Sequence, residues 1–170
     1  SLRSKMRLLS KLLRTLFSPM LKTNYKWDDR SAAQLATLHP TLRMVMEDAV
    51  QLSDVPFQLV EGGRSIARQT ELFQAGKSKI NPAAYPNYAD LYKSAKHIVG
   101  PGEPLSRAVD IICATPDKKY DYNHLCFIAG SVMAAASMRG VRIRWGGNWD
   151  GDGEIISDQT FQDLVHFELL

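Results

Sequence analysis

Four histidines and two cysteines are all the imidazole and thiol ligands that this 170-residue chain can offer a metal. Cys113 and Cys126 are too few for a disulfide framework, and their spacing fits no zinc-finger pattern. They read as small core residues. No apolar run approaches the roughly 20 residues needed to span a bilayer. A glycine-rich phosphate loop is missing, as is the G-x-S-x-G elbow of serine hydrolases. There is no internal repeat and no low-complexity tract. What remains is 45% hydrophobic and 23% charged, the composition of an ordinary globular chain that can bury a real core in one domain.

Acidic residues are absent from one place. Residues 1–22 hold six of the 21 Lys/Arg and no Asp/Glu, which leaves fifteen Lys/Arg against 18 Asp/Glu in the remainder. The body is therefore slightly acidic and is not a nucleic-acid surface by charge. In the basic segment Leu9, Leu12, Leu13, Leu16 and Met20 recur at helical spacing, opposite Arg3, Arg7, Lys11 and Arg14. This predicts a cationic amphipathic N-terminal helix, ending near Pro19, that either contacts an anionic membrane surface or docks on the body by its leucine stripe. Basic residues interrupt any candidate signal-peptide core, so no cleavable signal is expected. The division that follows is residues 1–22 as a cationic appendage and 23–170 as one folded domain.

Along the body, residues 31–53 read as helix from a Ser31 cap, interrupted near Pro40. A strand follows at 56–60, then a helix capped by Ser65 and closed by Gly76. Residues 77–107 read as loop. "RAVDII" (107–112) is a buried strand, Asp121 caps a long helix with a stripe at Leu125, Ile128, Ala129, Val132 and Ala136, and strands follow at 141–145 and 164–169. Helices early and strands late favour an α+β fold with a small antiparallel sheet packed against helices.

Two strands carry residues that a core rejects. Asp110 sits inside the apolar "RAVDII", beside the small Ala108, and an ionised carboxylate there needs a cation or a dense set of donors. His166 interrupts "LVHFEL", sharing a face with Leu164 and Glu168, while Val165, Phe167 and Leu169 face the other way. His97 lies in a polar loop ahead of the Asp110 strand; His39 and His124 read as structural or surface residues. Two imidazoles and a carboxylate form a catalytic zinc set with a fourth position open to water. A proton-shuttling carboxylate is then required. Asp163, at the start of the last strand, and Glu168 both qualify. Arg64, in "EGGRS" at a strand-to-helix turn, is placed to steady an oxyanion. Asp150, Asp152 and Glu154 alternate across glycines, as oxygen ligands of a calcium loop do, but without EF-hand spacing; a solvated acidic turn is the other reading.

These stretches, "FQLVEGGRSIARQTELFQAGKSK", "SAKHIVG…RAVDI", "IRWGGNWD" and "DLVHFEL", together resemble the zinc D-Ala-D-Ala carboxypeptidase family, in its branch of phage L-alanyl-D-glutamate endopeptidases. The resemblance spans roughly residues 30–170 and implies a Hedgehog/D-Ala-D-Ala-peptidase-like fold. It implies a zinc hydrolase, an endolysin made in the host cytoplasm that cuts the peptide stems of peptidoglycan and is expected to act as a monomer. It assigns zinc to His97, Asp110 and His166, the catalytic base to Asp163 rather than Glu168, and Arg64 to the scissile carbonyl. Trp145 and Trp149 map to positions that are structural or cleft-lining, with the structural reading preferred. Two departures stand out. His97 and Asp110 are thirteen residues apart where the family usually has seven, which predicts an inserted loop, "PGEPLS", whose Glu103 could approach the metal. Ala95 replaces a usual serine, with Ser94 beside it. The rival readings are a D-Ala-D-Ala carboxypeptidase or dipeptidase, and a binding module that has lost catalysis.

Overall fold

The computed structural model describes residues 26–154 and 160–170. The amphipathic helix expected within 1–22 lies outside them. No helix among the described residues is long and apolar enough to cross a membrane.

The helical stretch around Pro40 is two helices, α1 (Asp29–Ala36) and α2 (Pro40–Leu52). Pro40 cannot donate a hydrogen bond inside a helix but is well suited to a first turn. The chain therefore breaks at Thr37–His39 and restarts with the His39 side chain as cap, accepting from Thr41 N at 3.3 Å. The cap of α1 is Asp28, whose Oδ1 accepts from Ser31 N at 2.7 Å, and not Ser31 as expected. Ser31 is buried and its hydroxyl accepts from Leu59 N on the next element, β1 (Phe57–Glu61). Both residues are good caps, and tertiary packing chose between them.

A two-residue strand, β2 (Arg64–Ser65), leads into α3 (Ile66–Gln74), capped by Ser65 as expected, with Gly76 at φ +69° just past its end. Residues 77–107 are more ordered than a loop: they hold a 3-10 turn at Pro82–Ala84, α4 (Tyr88–Ser94) and β3 (Ile98–Val99). Helix α4 buries only Leu91 and is capped by Asn87, so it offers no repeating apolar stripe to read. The chain closes with β4 (Ala108–Cys113), α5 (Tyr122–Met138), β5 (Ile143–Gly146) and β6 (Asp163–Leu169).

Four strands form one antiparallel sheet in the order β1-β4-β6-β5, while β2 and β3 pair in parallel beside it. One face of the sheet is core. Val109, Ile111, Phe167, Leu169 and Trp145 pack there against Leu42, Val45, Met46 and Ala49 of α2 and against the expected α5 stripe from Leu125 to Ala136. Cys113 belongs to this core and Cys126 packs at its edge, both as free thiols. Truncating a buried aromatic such as Phe167 would cost about 3–5 kcal/mol.

The other face is polar because pairing across antiparallel strands keeps partners on one side. Asp110 pairs with His166, and Ala108 with Glu168, which pairs in turn with Arg144. A register shift between Leu59 and Glu61 brings Glu61 opposite Asp110, the re-aiming that β-bulges perform. The sheet is thus a core on one side and a row of ionisable groups on the other.

The turn from β1 to β2 is bolted to α1. Gly62 N donates to Gln34 Oε1 at 2.8 Å and Gly63 N to Thr37 Oγ1 at 2.6 Å. A Cβ on Gly62 would fall against Thr37 Oγ1 and within 2.9 Å of the Gln34 carbonyl. Gly62→Ala is therefore expected to destabilise the fold by about 1–3 kcal/mol, as overpacking does. By contrast Gly130, inside α5, has nothing within 4 Å of an added Cβ, and Gly130→Ala should stabilise by about 0.5–1 kcal/mol. Urea unfolding of the two variants checks both signs.

Candidate metal centre

His97 follows α4 and enters β3, where its carbonyl accepts from Arg64 N at 2.8 Å. The ring is buried. Its Nδ1–H donates to the Gly62 carbonyl at 2.8 Å, so the bolted β1–β2 turn dictates which nitrogen faces inward. Nε2 then lies 3.1 Å from Asp110 Oδ1 and 3.1 Å from His166 Nδ1. The third side of the triangle, His166 Nδ1 to Asp110 Oδ1, is 3.0 Å. His166 presents the opposite nitrogen, its Nδ1 facing inward and its Nε2 facing Glu168 Oε2 at 3.2 Å.

Each imidazole thus turns its hydrogen-bearing nitrogen outward to an acceptor and its lone pair inward. Two nitrogen lone pairs and a carboxylate oxygen at 3.0–3.1 Å repel one another unless a proton or a cation lies among them. Four-coordinate zinc with bonds near 2.0 Å holds its ligand atoms about 3.3 Å apart. The donor set and spacing fit such an ion. Among the described residues, this is the one group of His, Cys, Asp or Glu that gathers to metal-binding distance.

Electrostatics follow the geometry. Burial pushes Asp110 up, but the His97 charge and hydrogen bonds from both imidazoles outweigh it and hold the carboxyl far below the usual range. Burial lowers His166, yet its bonds to Asp110 and Glu168 raise it to about 9.

Asp163 opens β6, where the pairing jumps from Trp145–Phe167 to Gly146–Asp163. A Cβ on Gly146 would collide with the Asp163 backbone, so glycine is what lets β5 approach there. The Asp163 carboxyl is raised, first by burial and then by the negative charge of Asp110, with the two histidines acting against both. Burial also raises Glu168, but His166 outweighs it, helped by Arg144 and Lys96, and Glu168 is held low.

Arg64 is 13% exposed and clamped. Its Nε donates to Glu61 Oε1 at 3.1 Å, Nη2 donates to Glu61 Oε2, and Nη1 donates to Gln69 Oε1 at 2.8 Å. Gln69, fully buried, in turn donates to Ser78 Oγ and the Ile80 carbonyl. Arg64 stands out in the sequence, whereas Glu61 and Gln69, three residues before it and five after, become its partners only once β1 and α3 are placed.

Trp145 is structural, buried on Phe167 with its Nε1 donating to the Leu164 carbonyl at 2.8 Å. Trp149 follows the cleft-lining alternative: its ring lies 5.3 Å from that of His166 and 6.2 Å from that of Phe161. The insert after Gly100 folds into a tight turn, with Gly100 N to Glu103 O at 2.9 Å and Gly102 at φ +84°. Glu103 is not in the metal-binding group. Ser94 ends α4 exposed, while Ala95 packs on Leu91 and Ile98. Asp150, Asp152 and Glu154 are exposed; Asp152 Oδ1 accepts from Glu154 N, and these three are not gathered as a metal-binding group among the described residues. His39 caps α2, and His124 pairs with the α5 cap Asp121 at 2.5 Å, both structural roles.

The fold is α+β, and a His–Asp–His triad that could hold a metal ion lies on the open face of its sheet. The chain belongs to the phage L-alanyl-D-glutamate peptidase family, whose model matches residues 23–170. It is 26% identical over 136 residues to the L-alanyl-D-glutamate peptidase of Escherichia phage T5, covering 77% of this chain and 86% of that one. The crystal structure of the Serratia marcescens L-Ala D-Glu endopeptidase ChiX superposes with a TM-score of 0.62 at 29% identity, covering 86% of this chain and 90% of ChiX.

Proposed function

We propose that the protein is a zinc-dependent endopeptidase that cuts the L-Ala–D-Glu bond of peptidoglycan stem peptides, and that it serves as an endolysin. The observation that carries this reading is the triangle of inward-facing donor atoms at 3.0–3.1 Å, with the outer nitrogen of each imidazole already occupied. In this reading His97, Asp110 and His166 hold the metal. Zinc at such a site supplies Lewis-acid polarisation of a carbonyl and brings the pKa of a water to about 7.

The chain's own residues do the rest. Asp163 takes the proton of the attacking water and returns it to the leaving amine. A carboxyl raised by burial is the better base and gives the proton back more readily near neutrality. Arg64 uses three of its five N–H groups on Glu61 and Gln69. The remaining two are held in a fixed plane for the oxyanion. Because Glu61 balances its charge, Arg64 acts as an oriented donor rather than as a free cation. Trp149 shields His166 from water on one side.

A D-Ala-D-Ala carboxypeptidase would use the same centre, so the products decide. Purified peptidoglycan digested by the protein should yield fragments with new D-Glu amino termini and L-Ala carboxyl termini by mass spectrometry. Release of terminal D-Ala alone would overturn the reading. Asp163→Ala should lower kcat by about 10²–10⁴-fold while zinc content, read by metal analysis, stays equal to wild type; undiminished turnover would remove Asp163 from the mechanism.

The same proposal gives residues 1–22 an anionic membrane surface as partner, supported by six basic residues without an acid. Removing them should reduce sedimentation with phosphatidylglycerol vesicles and leave digestion of purified peptidoglycan unchanged.

A further inference from the structure

Glu168 was the rival for proton transfer, and its surroundings point to a different task. It stands two residues beyond His166 on the same face of β6, only 12% exposed. One carboxylate oxygen, Oε2, lies 3.2 Å from His166 Nε2; the other, Oε1, lies 3.5 Å from Arg144 Nη1. The room for this comes from the register. Glu168 is opposite Ala108 on one neighbouring strand and opposite Arg144 on the other. A larger side chain at 108 would contest the space, and a residue without a cation at 144 would leave Oε1 buried without its ion pair.

The two imidazoles of the triad are therefore oriented by unlike means. For His97 the acceptor is the backbone carbonyl of Gly62, fixed by the α1 bolts. For His166 it is a side chain on the same strand, itself fixed from β5. A histidine ring bound through Nδ1 pivots about its Cβ unless Nε2 is held, and nothing on the strand backbone holds it here.

We propose that Glu168, steadied by Arg144, is a positioning residue for the metal centre: it fixes the ring of His166 with Nδ1 turned toward Asp110 and His97, and so sets the affinity of the centre for a divalent cation. This rests on the reading of the triad as a zinc site. Glu168 touches no reacting atom in this role, and its contribution is to affinity before it is to turnover.

The test is zinc binding by the metal-free full chain in competition with a chromophoric chelator. Glu168→Ala should raise the zinc Kd by about 10–100-fold, the cost typical of losing a group that orients a ligand. Glu168→Gln keeps an oxygen acceptor for Nε2–H and should recover most of that loss. Arg144→Ala should fall between wild type and Glu168→Ala. Thermal unfolding of the metal-free forms separates affinity from fold, since a merely structural role would lower Tm without changing Kd at low temperature. Should Glu168→Ala not fold, Glu168→Gln and Arg144→Ala decide: wild-type affinity in Arg144→Ala, or a loss in Glu168→Gln as large as about 100-fold, overturns the inference. Equal Kd values for wild type and Glu168→Ala overturn it while leaving the zinc reading intact. A wild-type chain that binds no zinc overturns both.

Discussion

A carboxylate inside an apolar strand is the constraint around which this molecule is arranged. Asp110 is flanked by Val109 and Ile111, each 0% exposed, on the core side of the same strand. Leaving such a charge unpaired would cost several kcal/mol. Its stabilisation comes from two imidazoles that arrive from distant parts of the chain, 13 residues before it and 56 after. Neither arrives unless the sheet has formed in its proper register. A slip of one residue between β4 and β6 would turn His166 into the core and Phe167 into solvent. The site and the hydrophobic core therefore specify the same pairing, one from each face.

The support around the triad divides between backbone and side chains. His97 depends on the Gly62 carbonyl, and that carbonyl depends on Gln34 and Thr37 of α1 through two short hydrogen bonds. Arg64 follows Gly63 directly and is locked by Glu61, Gln69 and, behind Gln69, the 78–80 segment. The loop most exposed to sequence change, the insert after Gly100, closes on itself and leaves the donor triangle untouched. This is how thirteen residues between His97 and Asp110 are compatible with a compact centre: loop closure adds little cost with length, and β3 and β4 hold the two ends.

Much of this was legible in the chain because chemistry out of place is visible. Asp110 in an apolar strand and His166 in a closing strand announced themselves, as did the Asp121 and Ser65 caps and the α5 stripe. What was not legible depends on contacts between distant segments. Asp28 and Ser31 are equal as caps until Leu59 N claims the serine hydroxyl. Helix α4 is seven residues with one buried side chain, too short to show a period. Trp149 looked like Trp145, since the two flank the same Gly-Gly turn, yet Trp145 packs in the core and Trp149 lies against His166. Glu61 and Gln69 are ordinary residues in sequence and become part of the centre through a bulge and a helix face.

The choice between Asp163 and Glu168 illustrates the limit and what removes it. Alternation alone favours Glu168, since it shares the His166 face. In the fold both of its oxygens are engaged, one by His166 on the side away from the donor triangle and one by Arg144, which supports Asp163 in the proposed role. A carboxylate held low by its partners is a poor proton carrier. Asp163 sits where β6 begins and the pairing with β5 jumps, half-buried, close enough to feel Asp110 and both histidines, and is pushed up rather than down. Two acids five residues apart on one strand thus receive opposite environments. The one with both oxygens engaged is the one proposed to hold His166 still, and the desolvated one is the one proposed to move a proton.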